Sequence, residues 1–511
     1  MVHQGVLGFK CEVERAGTAA VTGRAGLVPY LDLMAALGLQ ERADRRVGLR
    51  SRDQGWSAGQ LVQALVLLNL SGGDCVDDLA QLEGDEGLCA LVRVAEAHGL
   101  SRAKRRTLAK RLRRGRKQTF PAAASVHRFL ADFHDAEQEA QRVAHKAFIP
   151  KAKDPLVGLY DLNADLLGAL QRWAPSKVAT LDMDATLVAS HKQSALYCYK
   201  HFQAYQPLNT WWAEQEVVVF SEFRDGNVPA GFEQLRVLKE SLTRLPSCVE
   251  KVRLRSDTAG YQWDLLRYCA EGQDQRFGVI EFAVGSDVDD AFKKAVHELS
   301  DEDWRPLVRP AGGQSISTEQ EWAEVCFIPN ELGRKKHGPE YRFLAMREPL
   351  RQLDLPGTED LQKTLPFPTI EYRDGRRYKL FGLVTNLTLP GDQVVFWLRE
   401  RCGKSEEAHA IMKHDLAGGQ LPSKLFGANA AWWQLMLLAL NLQAIFRRVV
   451  LGGRWLNRRL KAFRFGLIHT VARVVHHARR LLVRLSATQE ASRLILAARL
   501  RILELATAPP G

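Results

Sequence analysis

The sequence predicts a mixed α/β core that is interrupted by a β-rich block and flanked by helical regions. Between residues 177 and 301, strand-like runs such as KVATLDMDATLV and CVEKVRLRSD alternate with helix-like runs such as YQWDLLRYCAEGQ. Residues 302–398 are turn-rich and strand-like, as in EWAEVCFIP and RRYKLFGLVTNL. Helical periodicity precedes the core from about residue 20 and returns after residue 403.

The charge of the chain favours a polyanionic partner such as nucleic acid. Its 511 residues contain 71 Lys and Arg against 59 Asp and Glu, a net charge of +12. The densest basic run covers residues 102–117, where a predicted helix would be positive on nearly every face. A solvated charged face is the ordinary explanation of such a run, but the density and single sign predict contact with DNA phosphates. The predicted DNA-binding residues are Arg102, Lys104, Arg105, Arg106, Lys110, Arg111, Arg113, Arg114, Arg116 and Lys117.

The changes in predicted secondary structure and in charge along the chain predict six segments. They are a helical DNA-binding region with the basic run (1–120), a helical connector (121–176), the first part of the catalytic core (177–301), a β-rich insertion subdomain (302–398), the final core helices (399–446) and a basic helical C-terminal region (447–511).

Cysteine usage and hydropathy predict a cytoplasmic protein without a membrane segment. The eight cysteines are scattered and form no CxxC pair, which is typical of a reducing compartment. The N-terminus lacks the apolar core of a signal peptide. The most apolar run, residues 430–446, is short and contains Gln434, Asn441 and Gln443, so we expect a buried helix there.

Two strand ends carry aspartates. In ATLDMDATLV, Asp182 and Asp184 are one residue apart and therefore share a face of the strand. Burying an unpaired carboxylate is costly, so such a strand needs a compensating partner. The spacing alone does not separate the two residues, but Asp184 is nearer the carboxyl end, where α/β sheets expose functional groups. Asp257 follows a second strand in VRLRSD.

A helix-like segment, CGKSEEAHAIMKHDL, adds a third acid. Glu406 and Lys413 are seven residues apart, which places them two turns apart on one helix face. An amphipathic helix with solvated charges would have the same spacing. Two aspartates and a glutamate around one point repel each other unless cations neutralise them. Hard oxygen ligands suit Mg²⁺ or Mn²⁺, and two such ions support in-line phosphoryl transfer.

The order strand aspartate, strand aspartate, β insertion and helix glutamate resembles that of bacterial insertion-sequence transposases of the DDE type, which have an RNase H-like core. The chain is most similar to the group with the signature Y-x2-R-x3-E-x6-K, over residues 177–446. Asp184 matches the first aspartate through its Asp-x-Thr context, and Asp257 in LRSDTAG matches the second. Glu406 and Lys413 match the E-x6-K half. The resemblance implies that the three acids are catalytic and bind metal.

The other half of the signature departs from the pattern. Counting back from Glu406, the arginine position holds Cys402 and the tyrosine position holds an arginine. Arg401 is one residue out of register, and we take it as the equivalent of the arginine. Choosing Glu407 instead would put His414 in the lysine position, so Glu406 is retained as the predicted ligand.

The resemblance implies an enzyme that uses Mg²⁺, or Mn²⁺ in its place, on double-stranded DNA. It would bind terminal inverted repeats as a homodimer, cleave there, and join the 3′-hydroxyls to target DNA. In relatives with this insertion, a tryptophan holds a flipped base. Trp304 and Trp322 lie in the corresponding block, but we expect both in the core. The alternatives are a nuclease that does not join DNA, and a catalytically inactive DNA-binding protein derived from a transposase.

Overall fold

Two compact units make up the protein. The computed structural model describes residues 2–4, 10–12, 20–49, 55–98, 100–114, 118–143, 146–311, 314–329, 332, 339–350, 367–477 and 480–507. A mainly helical unit comprises Met1–Glu139, Lys151–Trp173 and Ile411–Gly511, and an α/β unit comprises Ala140–Pro150 and Ala174–Ala410.

Helices and strands are numbered in chain order over the described residues. The helices are α1 Val28–Ala36, α2 Leu39–Val47, α3 Ala58–Ser71, α4 Leu79–Glu83, α5 Glu86–Glu96, α6 Arg102–Arg114, α7 Ala123–Ala131, α8 Ala136–Glu139, α9 Asp154–Trp173, α10 Gln234–Arg244, α11 Trp263–Ala270, α12 Asp290–His297, α13 Gly391–Arg399, α14 Lys404–Ala410, α15 Phe426–Ile445, α16 Leu460–Phe463 and α17 Glu490–Thr507. The strands are β1 Val2–Gln4, β2 Lys10–Glu12, β3 Ala20–Thr22, β4 Val178–Ala185, β5 Val188–Ala189, β6 Leu196–Tyr197, β7 Gln203–Tyr205, β8 Leu208–Trp212, β9 Val217–Glu222, β10 Lys251–Ser256, β11 Glu281–Ser286, β12 Arg305–Ala311, β13 Gln314–Val325, β14 Arg342–Pro349, β15 Thr369–Glu371, β16 Arg377–Thr385, β17 Ala472–His477 and β18 Arg480–Leu485.

The α/β unit is built on a mixed sheet in which β4 is an inner strand. The order is β12-β13-β14-β16-β11-β10-β4-β8-β9, and β15 pairs with β16. On one side of β4, β8 and β9 form an antiparallel pair of neighbours. On the other side, β10 is parallel to β4 and β11 is parallel to β10. This order and these directions are those of an RNase H-like core, so the predicted fold class is confirmed.

The described strands of the β-rich insertion, β12 to β16, all belong to the core sheet. β16 pairs antiparallel with β11 on one edge and with β14 on the other. One apolar cluster joins these strands to α13, through residues that include Ala283, Leu344, Leu383, Val394 and Val395. The backbone of β11 needs a pairing partner at its outer edge, and β16 supplies it. The insertion therefore forms part of the surface on which α13 packs. The six segment boundaries stay a prediction.

The helical unit is organised around α15, in which every residue from Gly427 to Ile445 is buried. Its polar side chains find partners inside the unit, since Asn441 Nδ2 donates to Asn163 Oδ1 on α9 at 2.7 Å. Within the described residues, one helical segment, Phe426–Leu451, has the length and apolar composition of a membrane span, and 83% of its most apolar window is buried in the protein. Burial of this extent agrees with the core helix predicted there.

The prediction of helix throughout the C-terminal region is wrong for residues 472–477 and 480–485. β17 and β18 form an antiparallel pair, which we call the ribbon, and β17 also pairs with β3. Exposure along β18 alternates residue by residue, as a strand with one solvated face requires. The apolar and basic residues of this segment satisfy helical and strand periods alike, and pairing with the distant β3 decides for the strand.

Candidate active site

The two aspartates on β4 have different partners. Asp182 is 3% exposed and accepts two hydrogen bonds from Arg255, from Nε at 2.6 Å and from Nη2 at 3.0 Å. Asp184 is partly buried, and its Oδ2 lies 3.1 Å from Nη2 of Arg401. The bidentate pair fully engages the carboxylate of Asp182 in the sheet. Asp184 has the less buried carboxylate of the two, and its catalytic role stays a prediction.

Arg255 also holds the end of α13 against the strands. Its Nη1 donates to the carbonyl oxygen of Trp397 at 2.7 Å and to Oε2 of Glu400 at 3.0 Å. The guanidinium lies 5.3 Å from the centroid of the Trp397 ring, within the range of a cation–π contact. The next residue after Glu400 is Arg401, which pairs with Asp184. A single buried arginine thus positions both the strand and the turn that contribute to the site.

Strand register brings Asp257 beside Asp184. β10 runs parallel to β4 with Ser256 opposite Met183, so one further residue along each strand places the two aspartates at the same sheet edge. Asp257 is exposed, and its Oδ1 accepts the N–H of Ala259 at 3.0 Å. The turn that follows requires glycine, because a Cβ at Gly260 would lie 2.5 Å from that of Ser256.

Glu406 lies in the first turn of α14 and is exposed. Its Oε2 accepts the N–H of Gly403 at 2.6 Å. One turn later on α14, the amide Nδ2 of Asn209 on β8 donates a hydrogen bond to Nε2 of His409 at 3.3 Å. Asn209 is the antiparallel partner of Asp184. This contact fixes α14 against the strand next to β4, and so brings Glu406 towards the same sheet edge.

Electrostatics links the three acids. The pKa of Asp184 is raised to about 7, chiefly by burial and also by the negative charges of Asp257 and Glu406, while the positive charge of Arg401 opposes the rise. The negative charge of Glu406 acts on this pKa. Each charge must lie close to Asp184 to have this effect, so the three predicted acids belong to one neighbourhood. Their catalytic role stays a prediction.

The donor set suits a hard cation, although the side chains are not closed around one. Within the described residues, no group of three or more His, Cys, Asp or Glu side chains is gathered at metal-binding distance. Two carboxylates, those of Asp257 and Glu406, oppose the ionisation of Asp184. A divalent cation with oxygen preference would stabilise all three. The guanidinium of Arg401 supplies the positive charge that such an ion would otherwise bring to Asp184.

The remaining predicted residues fall in the helical unit. Lys413 lies in the π-helical turn Ile411–Asp415, and its role stays a prediction. The basic run forms α6, in which Arg102, Lys104, Arg105 and Arg106 are exposed. Lys110, Arg111, Arg113 and Arg114 belong to the same helix, and Arg116 and Lys117 lie outside the described residues.

Sequence reasoning missed Arg255, Asn209 and His409. Arg255 carries no distinctive sequence signal, because Lys251 and Arg253 precede it at alternate positions of the same strand, KVRLRS. The two tryptophans of the β-rich insertion are buried, Trp304 at 6% exposure and Trp322 at 5%, and Arg347 stacks on Trp304 at 4.2 Å. The expectation that both belong to the core is confirmed.

Removing Arg255 should strongly destabilise the fold. Arg255→Met leaves Asp182 buried without its partner, and breaking such a pair costs about 3–5 kcal/mol. Adding Asp182→Leu should recover most of that loss, because no buried charge then remains. The measurement is the free energy of unfolding by denaturant.

Arg253→Met is the matched control on the same strand, since its pair with Glu281 is partly exposed and should contribute under about 1 kcal/mol. Equal losses for Arg253→Met and Arg255→Met would contradict the role assigned to Arg255.

The pKa of Asp184 predicts a pH-dependent stability in the absence of metal. Between the ordinary aspartate pKa of 3.8 and the raised pKa of about 7, the folded protein holds a proton on Asp184 that the unfolded chain has lost. Stability contributed by this group therefore falls as pH rises through that window. Asp184→Asn should gain stability relative to the wild type as pH rises from about 4 to about 7, measured by denaturant unfolding in chelator. A difference that stays constant over this range would show that the pKa of Asp184 is not raised.

Known proteins resemble the chain in sequence and in structure. The family model described as "Transposase DDE domain group 1" matches residues 6–343, a range that includes Asp184 and Asp257 and ends before Glu406. No curated protein matches the chain. A cryo-EM structure of a piggyBac transposase synaptic complex with hairpin DNA is 11% identical, with a TM-score of 0.42, and the match covers 96% of this chain and 85% of that one.

The structural similarity is too low to carry an argument, so the fold assignment rests on the strand order. The family match is of a different kind, because it spans well over half of the chain. Transposases of the DDE type generally use divalent metal ions, and the carboxylate set around Asp184 is chemically suited to them. The chain belongs to the family described as transposase DDE domain group 1.

Proposed function

We propose that the protein is a DNA transposase of bacterial insertion-sequence type. It binds the terminal inverted repeats of its element, cleaves the DNA there, and joins the resulting 3′-hydroxyls to target DNA, acting as a homodimer in the cytoplasm. The observation that carries this proposal is the electrostatic coupling of Asp184 to Asp257 and Glu406 at one end of an RNase H-like sheet. Family membership supports the same reaction class.

Asp184, Asp257 and Glu406 are the proposed ligands of Mg²⁺, for which Mn²⁺ would substitute. When bound, the two ions would activate the attacking oxygen and stabilise the leaving oxygen of an in-line phosphoryl transfer. The chain itself provides an exposed pair of acids, Asp257 and Glu406, beside a partly buried one. The partial burial of Asp184 limits competition from water, and the exposed acids leave room for DNA to approach.

Arg401 is proposed to contact a phosphate when DNA is bound. Its side chain is 11% exposed and pairs with Asp184. Its Nε is buried and has no hydrogen-bond partner within the described residues. An unused guanidinium donor in a buried position is costly, and a phosphate oxygen would satisfy it. Lys413 is proposed as a second phosphate contact, on the strength of the E-x6-K spacing alone.

Substitution of the three acids tests the proposed site. Asp184→Ala, Asp257→Ala and Glu406→Ala should each abolish Mg²⁺-dependent cleavage of an inverted-repeat end, because each removes a ligand of the reacting centre. Glu407→Gln is the matched control on the same helix turn and should keep its activity. Retained cleavage in any of the three alanine variants would remove that residue from the site. A wild type that cuts but never joins a 3′-hydroxyl to target DNA would be a nuclease.

Charge removal on α6 tests the DNA interaction proposed for it. Arg102→Gln combined with Arg106→Gln should weaken binding to duplex DNA and lower the slope of log affinity against log salt by about 0.9 for each phosphate that is no longer neutralised. Arg45→Gln combined with Arg172→Gln is the control, because both arginines are exposed residues of the same unit. An unchanged slope in the α6 variant would exclude these residues from the DNA interface.

A further inference from the structure

The ribbon formed by β17 and β18 exposes one strongly basic face. Strand register places Arg473 directly opposite Arg484, and His477 directly opposite Arg480. All four side chains are exposed, and they lie on the same face because alternate residues of each strand point the same way. The pair between them on this face, Val475 and Leu482, is uncharged.

The pairing of like charges on this face is unfavourable in the free protein. Cross-strand neighbours interact at short range, so opposite charges stabilise a ribbon and like charges destabilise it. Residues 472–485 contain no acid to offset the repulsion. Within the described residues, none of the three arginines forms an ion pair with an acid from elsewhere. A face that served only solubility would be more stable with both acidic and basic side chains. Because the charged side chains of this face are all basic, the face indicates a ligand with many negative charges.

A cleft beside the ribbon carries further basic residues. A cavity of about 700 Å³ within the helical unit is lined by residues that include Arg93 and His98 of the α5 region, Arg105 of α6, and His476 of β17. His476 alternates with Arg473 and His477 along β17, so it lies on the face opposite the basic one. The basic face of the ribbon is therefore directed away from this cleft and is a basic patch of its own.

We propose that the ribbon is a second DNA-binding element, and that its basic face binds the backbone phosphates of duplex DNA. This inference rests on the proposed function only in taking DNA as the polyanion. Arginine suits phosphate oxygens because its guanidinium can donate two parallel hydrogen bonds. The arginines of the ribbon present such forks from both strands.

The test removes the opposed arginine pair and follows the salt dependence of DNA binding. Arg473→Gln combined with Arg484→Gln should reduce affinity for a random-sequence duplex on the order of tenfold, and lower the salt slope by about 1.8 for two phosphates. Arg473→Lys combined with Arg484→Lys should keep the slope, because neutralisation of a phosphate depends on charge. Arg45→Gln combined with Arg172→Gln is the control of equal charge.

The melting temperature of the Arg473→Gln, Arg484→Gln variant in the absence of DNA should stay the same or rise, because repulsion between the strands is relieved.

Three results would overturn the inference. The first is an unchanged salt slope in the glutamine variant with its fold intact. The second is an equal slope change in the control variant, which would reduce the effect to net charge. The third is loss of binding to phosphatidylserine vesicles with unchanged DNA binding, which would make the ribbon a membrane surface.

Assays of cleavage and joining on the same wild-type sample separate this inference from the proposed function. A wild type that transposes, with an unchanged slope in the ribbon variant, would overturn the inference alone. A reduced slope in that variant, with a wild type that neither cleaves nor joins DNA, would support the inference and overturn the proposed function.

Discussion

The candidate site depends on the buried guanidinium of Arg255. It is 2% exposed, and its hydrogen bonds reach β4 through Asp182 and the end of α13 through Trp397 and Glu400. A buried ion pair adds little net stability, because desolvation of both charges offsets their attraction. Its contribution here is positional. The pair fixes the turn after α13, and with it Arg401 and the start of α14, relative to the strand that carries Asp184.

The charge balance at Asp184 follows from this positioning. Parallel pairing of β4 and β10 puts two aspartates at one sheet edge, and the contact of His409 with Asn209 brings the first turn of α14 towards it. In the absence of metal, Arg401 is the cation that offsets this concentration of negative charge. Such a site is costly to keep, because repulsion and burial both disfavour the ionised form of Asp184. A cost of this kind is typical of a functional site, where a bound cation relieves it.

The helical unit shows the opposite imbalance. The exposed arginines of the ribbon and of the first turns of α6 have a single sign, and within the described residues they form no ion pairs with acids. Both units therefore carry charge that the folded chain alone does not neutralise, negative around Asp184 and positive along the ribbon. A complex of divalent cations and DNA would neutralise both, which unites the proposed chemistry with the inferred surface.

The sequence by itself determined the class of the fold and the neighbourhood of the acids. Strand-like runs that alternate with helix-like runs predict a mixed α/β core, and aspartates at the ends of two such runs predict acids at the edge where α/β sheets expose functional groups. Glu406 could be placed on a helix by its spacing from Lys413, but no local signal tells where that helix packs. The choice between Asp182 and Asp184 rested on a resemblance, since the two share a face and a run of apolar neighbours.

Only the tertiary structure distinguishes the surroundings of the two aspartates, because the partner of Asp182 lies 73 residues away on β10. The same reason applies to the β-rich insertion, which continues the core sheet since β11 has an open edge to pair. It applies most clearly to residues 472–485. Their apolar and basic pattern fits a helix as well as a strand, and β3, near the other end of the chain, supplies the pairing that makes them a ribbon. Long-range pairing carries no local sequence signature, so the basic face of the ribbon was visible only in the folded protein.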